Sequence, residues 1–156
     1  MAAKKLPGLE KFVRNLREGK TKLKVGFLNK ETAEVAIKNE FGGVFTVDED
    51  YKNRAKSKGV NVSNYISIPP RPFMLNTINN HSREWSPLFA KIVTKYDYDI
   101  NKSLYALGEI IKSQVQSSIR DGSYTSNSAN TVKIKGFDKP LIDGGNMLRS
   151  IAAEVE

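Results

Sequence analysis

In DINKSLYALGEIIKSQVQSSIR (residues 99–120), Ile100, Leu104, Leu107, Ile111, Val115 and Ile119 return at intervals of three and four. That period places all six on one stripe of an α-helix of about six turns, with polar residues on the other faces. Asp99 is suited to cap its start and Gly122 to end it. A helix with one long apolar stripe must bury it against another layer. The search for that layer leads outward in both directions.

Toward the N-terminus, SPLFAKIVTKY (86–96) reads as a helix capped by Ser86, with Pro87 at its first position. PFMLNTINNH (72–81) reads as a separate helix before it. Ahead of that, ISIPPRPFML (66–75) puts Pro69, Pro70 and Pro72 around Arg71. Each proline fixes φ and removes a backbone donor, so the segment is neither helix interior nor central strand. It is expected to be a rigid extended corner following a short strand (Tyr65, Ile66, Ile68).

Further out, KLKVGFLN (22–29) alternates Leu23, Val25 and Phe27 with Lys22, Lys24 and Gly26, as a half-buried strand does. ETAEVAIKNEFGG (31–43) has helical spacing and a Gly42-Gly43 stop, and VFTV (44–47) is a strand candidate. Residues 48–64, DEDYKNRAKSKGVNVSN, carry few large apolar groups and are expected to form a mobile excursion between two strands. Leu6, Leu9, Phe12, Val13 and Leu16 outline an amphipathic N-terminal helix, with Pro7 near its start and Gly19 at its end. Downstream, GSYTSNSAN (122–130) is a polar loop, and a DGG turn, a short helix and a strand IAAEVE complete the order. The expectation is one α+β domain over residues 1–156. A small antiparallel or mixed sheet packs on the long helix, and an N-terminal helix precedes it.

The net charge is +8, from 25 Lys and Arg against 17 Asp and Glu. Residues 1–24 hold Lys4, Lys5, Lys11, Arg14, Arg17, Lys20, Lys22 and Lys24 against Glu10 and Glu18, which is +6 of that total. Such a basic end points to an anionic neighbour, DNA or an acidic protein. Lys4, Lys5, Lys11, Arg14, Arg17 and Lys20 are the candidate contacts.

Without cysteine there are no disulfides or thiolate metal sites. No apolar run has membrane-spanning length and no signal-peptide pattern opens the sequence, so folding in a reducing cytoplasm is expected, with no membrane partner. The lone His81 builds no zinc site, and Asp97 and Asp99 diverge rather than pair. DGGN is too short for a phosphate loop, and the aromatic residues form no RNA-stacking pattern. A binding or structural protein is expected, not an enzyme, with no cofactor and no metal.

Three stretches in order resemble a known family: VGFLNKETAEVAIKNEFGG (25–43), IPPRPFMLNTI (68–78) and DKPLIDGGNMLRSIAAEVE (138–156). Together they resemble the bacteriophage neck and tail-completion proteins, also labelled virion morphogenesis or head–tail joining proteins. The resemblance spans roughly residues 23–156. Glu40, Phe41 and Gly42 match the family's EFG. Pro69, Arg71, Pro72 and Phe73 match IPxRPF. Pro140, Leu141, Ile142, Asp143, Gly145, Ser150 and Ile151 match PLIDTG…SI. Gly144 departs from the usual Thr, leaving Asp143 to cap; residues 48–64 are longer than the usual link; and NTVKIKG (130–136) is a poor copy of the helical segment before KPL.

The resemblance implies a non-catalytic virion subunit, assembled in the host cytoplasm into a homo-oligomeric ring at the neck or proximal tail. The ring would meet the head connector or adaptor on one side and the tail-tube or tail-terminator protein on the other, with genomic DNA passing through without sequence preference. Alternatives are a tail-terminator protein of the same region or a monomeric, sequence-independent nucleic-acid-binding protein. On this reading Phe73 plugs the core and Arg71 pairs with a carboxylate, Glu40 being the expected partner.

Overall fold

The stripe on residues 100–119 finds its layer in two places, a second long helix and a strand pair. The computed structural model describes residues 7–18 and 22–156. The elements run α1 (Pro7–Glu18), β1 (Leu23–Phe27), α2 (Lys30–Phe41), β2 (Gly43–Thr46), α3 (Glu49–Ser57), β3 (Tyr65–Ile68), α4 (Phe73–Lys95), α5 (Ile100–Asp121), α6 (Ala129–Lys135), α7 (Asn146–Arg149) and β4 (Ile151–Val155). This is an α+β fold. The expected single sheet is instead two antiparallel pairs, β1–β4 and β2–β3.

Asp99 caps α5 by accepting the Lys102 N–H at 3.0 Å, which holds its carboxyl below the usual range. Ile100, Leu107, Val115 and Ile119 are buried, while Leu104 and Ile111 are partly so. One side of α5 packs on α4 and another on β1–β4, whose register sets Leu23 opposite Val155 and Phe27 opposite Ile151. Gly108 permits the close approach: a Cβ there would stand 2.8 Å from Leu23 Cδ1 and 2.9 Å from Ala153 Cβ. The main core gathers Ala36, Phe73, Val115, Ile119, Leu141, Met147 and Ile151.

Two local expectations are corrected. Residues 73–95 form one helix with Pro87 inside it, not two helices. Proline removes one intrahelical bond, but α4 is held to α5 beside that position, where Trp85 Nε1–H donates to Gln114 Oε1 at 2.9 Å.

Residues 48–64 are not an irregular excursion. Asp48 caps α3 through the Tyr51 N–H at 2.7 Å, and Ala55 and Val60 bury against Ile134 of α6 in a second small core. NTVKIKG is helical too, as most of α6.

On α1, Phe12 meets Tyr98 edge-on at 6.3 Å, but Leu9, Val13 and Leu16 stay 50%, 39% and 44% exposed. Its stripe is therefore only partly covered. Leu6 and Gly19 lie outside the described residues.

Replacing Leu107 with Ala removes side-chain packing where α5 is buried. Denaturant titration should show a loss of about 2–5 kcal/mol. An unchanged midpoint would mean that α5 is not packed as described.

Candidate functional site

The proline corner and the end of α2 are stitched together by backbone and carboxylate bonds. Arg71 N–H donates to the Asn39 carbonyl at 2.8 Å. Gly42, at φ 66°, caps α2 and lies so close to the corner that a Cβ would stand 2.6 Å from Pro70 N and 2.7 Å from Ile68 O. No other residue fits that approach without displacing the backbone. Phe41, between Glu40 and Gly42, is 74% exposed and takes no part in the core.

Glu40 is not the partner of Arg71, contrary to expectation. Its two carboxylate oxygens accept the Met74 N–H and the Leu75 N–H, each at 2.9 Å. Helix α4 begins after Pro72 with no side-chain cap of its own. A carboxylate carried on α2 fills that role, where free N–H groups and the helix dipole both favour negative charge. Pro69 and Pro72 are half-buried, and Phe73 is 1% exposed, edge-on to Phe27 at 5.9 Å between ring centres.

Arg71 turns the other way. It is buried, and its Nε–H donates to the Thr125 carbonyl at 3.0 Å. Its Nη groups donate to Asn127 Oδ1 at 3.2 Å and Asn39 Oδ1 at 3.4 Å. All three acceptors are neutral, and loss of hydration pushes the guanidinium pKa below its usual value.

In the third stretch, Leu141 and Met147 enter the main core and Ile142 packs against it. Pro140 is half-buried just before Leu141. Gly145, at φ 75°, starts α7, and Ser150 ends it with its hydroxyl donating to the Asn146 carbonyl at 2.7 Å. Asp143 does not cap α7, contrary to expectation. It accepts two bonds from Arg54, at 2.7 and 3.0 Å. That pair raises the Arg54 pKa and holds the Asp143 carboxyl below its ordinary 3.8.

Of the basic candidates, Lys4, Lys5 and Lys20 lie outside the described residues. Lys11 is engaged with Asp97 at 3.0 Å, tying α1 to the turn between α4 and α5. Arg14 and Arg17 are exposed on α1. His81 stands 3.5 Å from Glu84 Oε2, and among the described residues its Nδ1 makes no hydrogen bond. Among the described residues no group of three acidic or histidine side chains is placed to hold a metal. No described helix is long and apolar enough to cross a membrane.

Compared with family models, curated proteins and solved structures, the chain matches none. Several site residues had no sequence signal: Asn39, Thr125 and Asn127 around Arg71, Arg54 for Asp143, and Lys135. The Arg54–Asp143 pair spans 89 positions, beyond any local spacing rule.

Two outcomes follow from this geometry. Glu40→Ala leaves two α4 N–H groups without their carboxylate and should cost about 1–2 kcal/mol by denaturation, with Glu40→Gln retaining part of the loss. The Arg54–Asp143 pair is half-exposed and contributes under about 1 kcal/mol. Because the Asp143 pKa is depressed on folding, that contribution is present above 3.8 and disappears as pH falls through the lower folded value. The stability gap between wild type and Asp143→Asn should therefore close below pH 3.8; a constant gap would assign it to packing.

Proposed function

We propose that this chain is a structural subunit of a tailed-bacteriophage virion. It associates with copies of itself into a ring at the neck or proximal end of the tail, joins the tail to the head connector, and lets genomic DNA pass. The observation that carries this reading is the junction of the three stretches that resemble the neck family. Glu40 and Asn39 of the first bond the second, and Phe73 of the second shares one core with Leu141, Met147 and Ile151 of the third.

The surface supports self-association. Two-stranded sheets are marginal without cover, and β2–β3 leaves Val44 71% and Tyr65 64% exposed on one face. Helix α1 presents a different apolar surface through Leu9, Val13 and Leu16. Two unlike apolar surfaces on one chain suit a head-to-tail contact, the kind that closes into rings. The exposed Arg14 and Arg17 suit a lumen or rim that touches DNA phosphates without reading sequence.

Val44→Glu and Val13→Glu should each leave a folded monomer, shown by circular dichroism, that forms no ring by sedimentation. Phage relying on either should accumulate filled heads and separate tails. Changing Lys4, Lys5, Lys11 and Arg14 to Ser should weaken a sequence-independent, steeply salt-dependent DNA affinity. Full infectivity of both Val variants would sink the neck assignment, whereas a fully infectious basic variant would remove only the DNA contact.

A further inference from the structure

Behind the β2–β3 sheet lies a cavity of about 650 Å3, within the size range of small-molecule sites. The register puts Phe45 and Ile66 on its inner face, and Met147 closes another wall. Lys38, Arg71, Asn127 and Lys135 line it as well, with the carboxylates of Asp48 and Asp143, so the space is apolar on one side and charged, with cations in excess, on the other.

Among the described residues no acid bonds Arg71 or Lys135. Arg71 is 5% exposed, and among the described residues three of its five N–H groups are donated, all to neutral oxygens. Asp138 attracts it but instead accepts the Asn127 N–H and Nδ2–H, at 3.1 and 3.0 Å. Lys135 Nζ donates to the Lys139 carbonyl at 2.6 Å. Asp143, whose charge favours Lys135, is held by Arg54 in its two-bond pair. The Lys135 pKa is pushed below its usual value by burial, with repulsion from Arg71 and Arg54 adding to it. Around the cavity four cations (Lys38, Arg54, Arg71, Lys135) thus stand with three carboxylates (Asp48, Asp138, Asp143), and none of these carboxylates bonds Arg71 or Lys135. A buried positive charge without a counter-charge is costly, and here it borders open space.

We propose that this cavity binds an oxyanion, carboxylate or phosphate, carried on an apolar body. The anionic group sits between Arg71 and Lys135, and the body lies against Phe45, Ile66 and Met147. The oxyanion comes either from a free small molecule or from an acidic side chain of a second copy. This inference is independent of the neck assignment.

The probes are 4-phenylbutyrate, the uncharged 4-phenylbutanol and inorganic phosphate, titrated calorimetrically into wild type, Lys135→Met and Lys135→Arg. Arg71 anchors the loop at 125–127, so the half-buried Lys135 is the safer position to change. Phenylbutyrate should bind one per chain, about tenfold or more tighter than the alcohol, as a charge-assisted bond requires. Inorganic phosphate should bind more weakly than phenylbutyrate. Lys135→Met should abolish the acid's advantage and Lys135→Arg should keep it.

Sedimentation separates the two sources. If a second copy supplies the anion, wild type self-associates, phenylbutyrate dissociates it, and Lys135→Met stays monomeric. If the ligand is free, the mass is the same with and without probe. Equal affinity for acid and alcohol would overturn the proposal. So would an unchanged acid affinity in Lys135→Met, or neither binding nor a probe-dependent change in mass.

Discussion

The Glu40 carboxylate at the start of α4 is the contact on which the rest of the arrangement hangs. Pro72 ends a corner that offers no capping hydroxyl or amide, so the first N–H groups of α4 need partners from elsewhere. Phe73 N–H reaches the Arg71 carbonyl at 2.8 Å and Asn76 N–H the Pro72 carbonyl at 2.9 Å. Between them, Met74 and Leu75 N–H reach Glu40. All four donors are satisfied, two of them by one side chain from the last turn of α2. The direction of α4 is thereby tied to the end of α2, and with it the placement of Phe73 in the core. The hairpin partner α5 follows, and α5 in turn supports β1–β4.

This arrangement separates two charges that sequence proximity would pair. Glu40 is drawn to a helix N-terminus, where hydrogen-bond donors and the dipole act together. Arg71 is left on the far side of the corner, bonded to a carbonyl and two amide oxygens. The corner therefore has a mechanical side, which orients α4, and an electropositive side, which opens into the cavity behind β2–β3. The same division appears across the β2–β3 pair. Its inner face turns Phe45 and Ile66 to the cavity, and its outer face leaves Val44 and Tyr65 to solvent.

Periodicity within single elements was legible because it needs only local geometry. The stripe on α5, the Asp99 cap, the strand at 23–27 and the Gly42 stop each depend on residues a few positions apart, and each is found in place. The plugging role of Phe73 was legible for a related reason, since three prolines leave the following aromatic residue few directions. Spacing failed where a distant partner changed the outcome. Ser86-Pro87 has the pattern of a helix start, yet the bond from Trp85 to Gln114 accompanies an unbroken α4. Residues 48–64 lack bulky apolar groups, yet Ala55 and Val60 are buried because Ile134 of α6 comes to meet them.

The linear order of residues was enough to set the α+β class, the basic bias of the N-terminal region and the rigidity of the proline corner. These follow from side-chain period, charge and the proline ring, which act over one or two turns of chain. Tertiary structure alone decided that Glu40 caps α4, that Asp143 pairs with Arg54, and that Arg71 and Lys135 border one cavity. Hydrogen bonds and charge pairs reach only about 3 Å, so they belong to whichever groups folding brings together. Two-stranded sheets in place of one, and an apolar stripe on α1 left largely in solvent, have the same origin. Burial depends on the neighbours a chain finds in three dimensions.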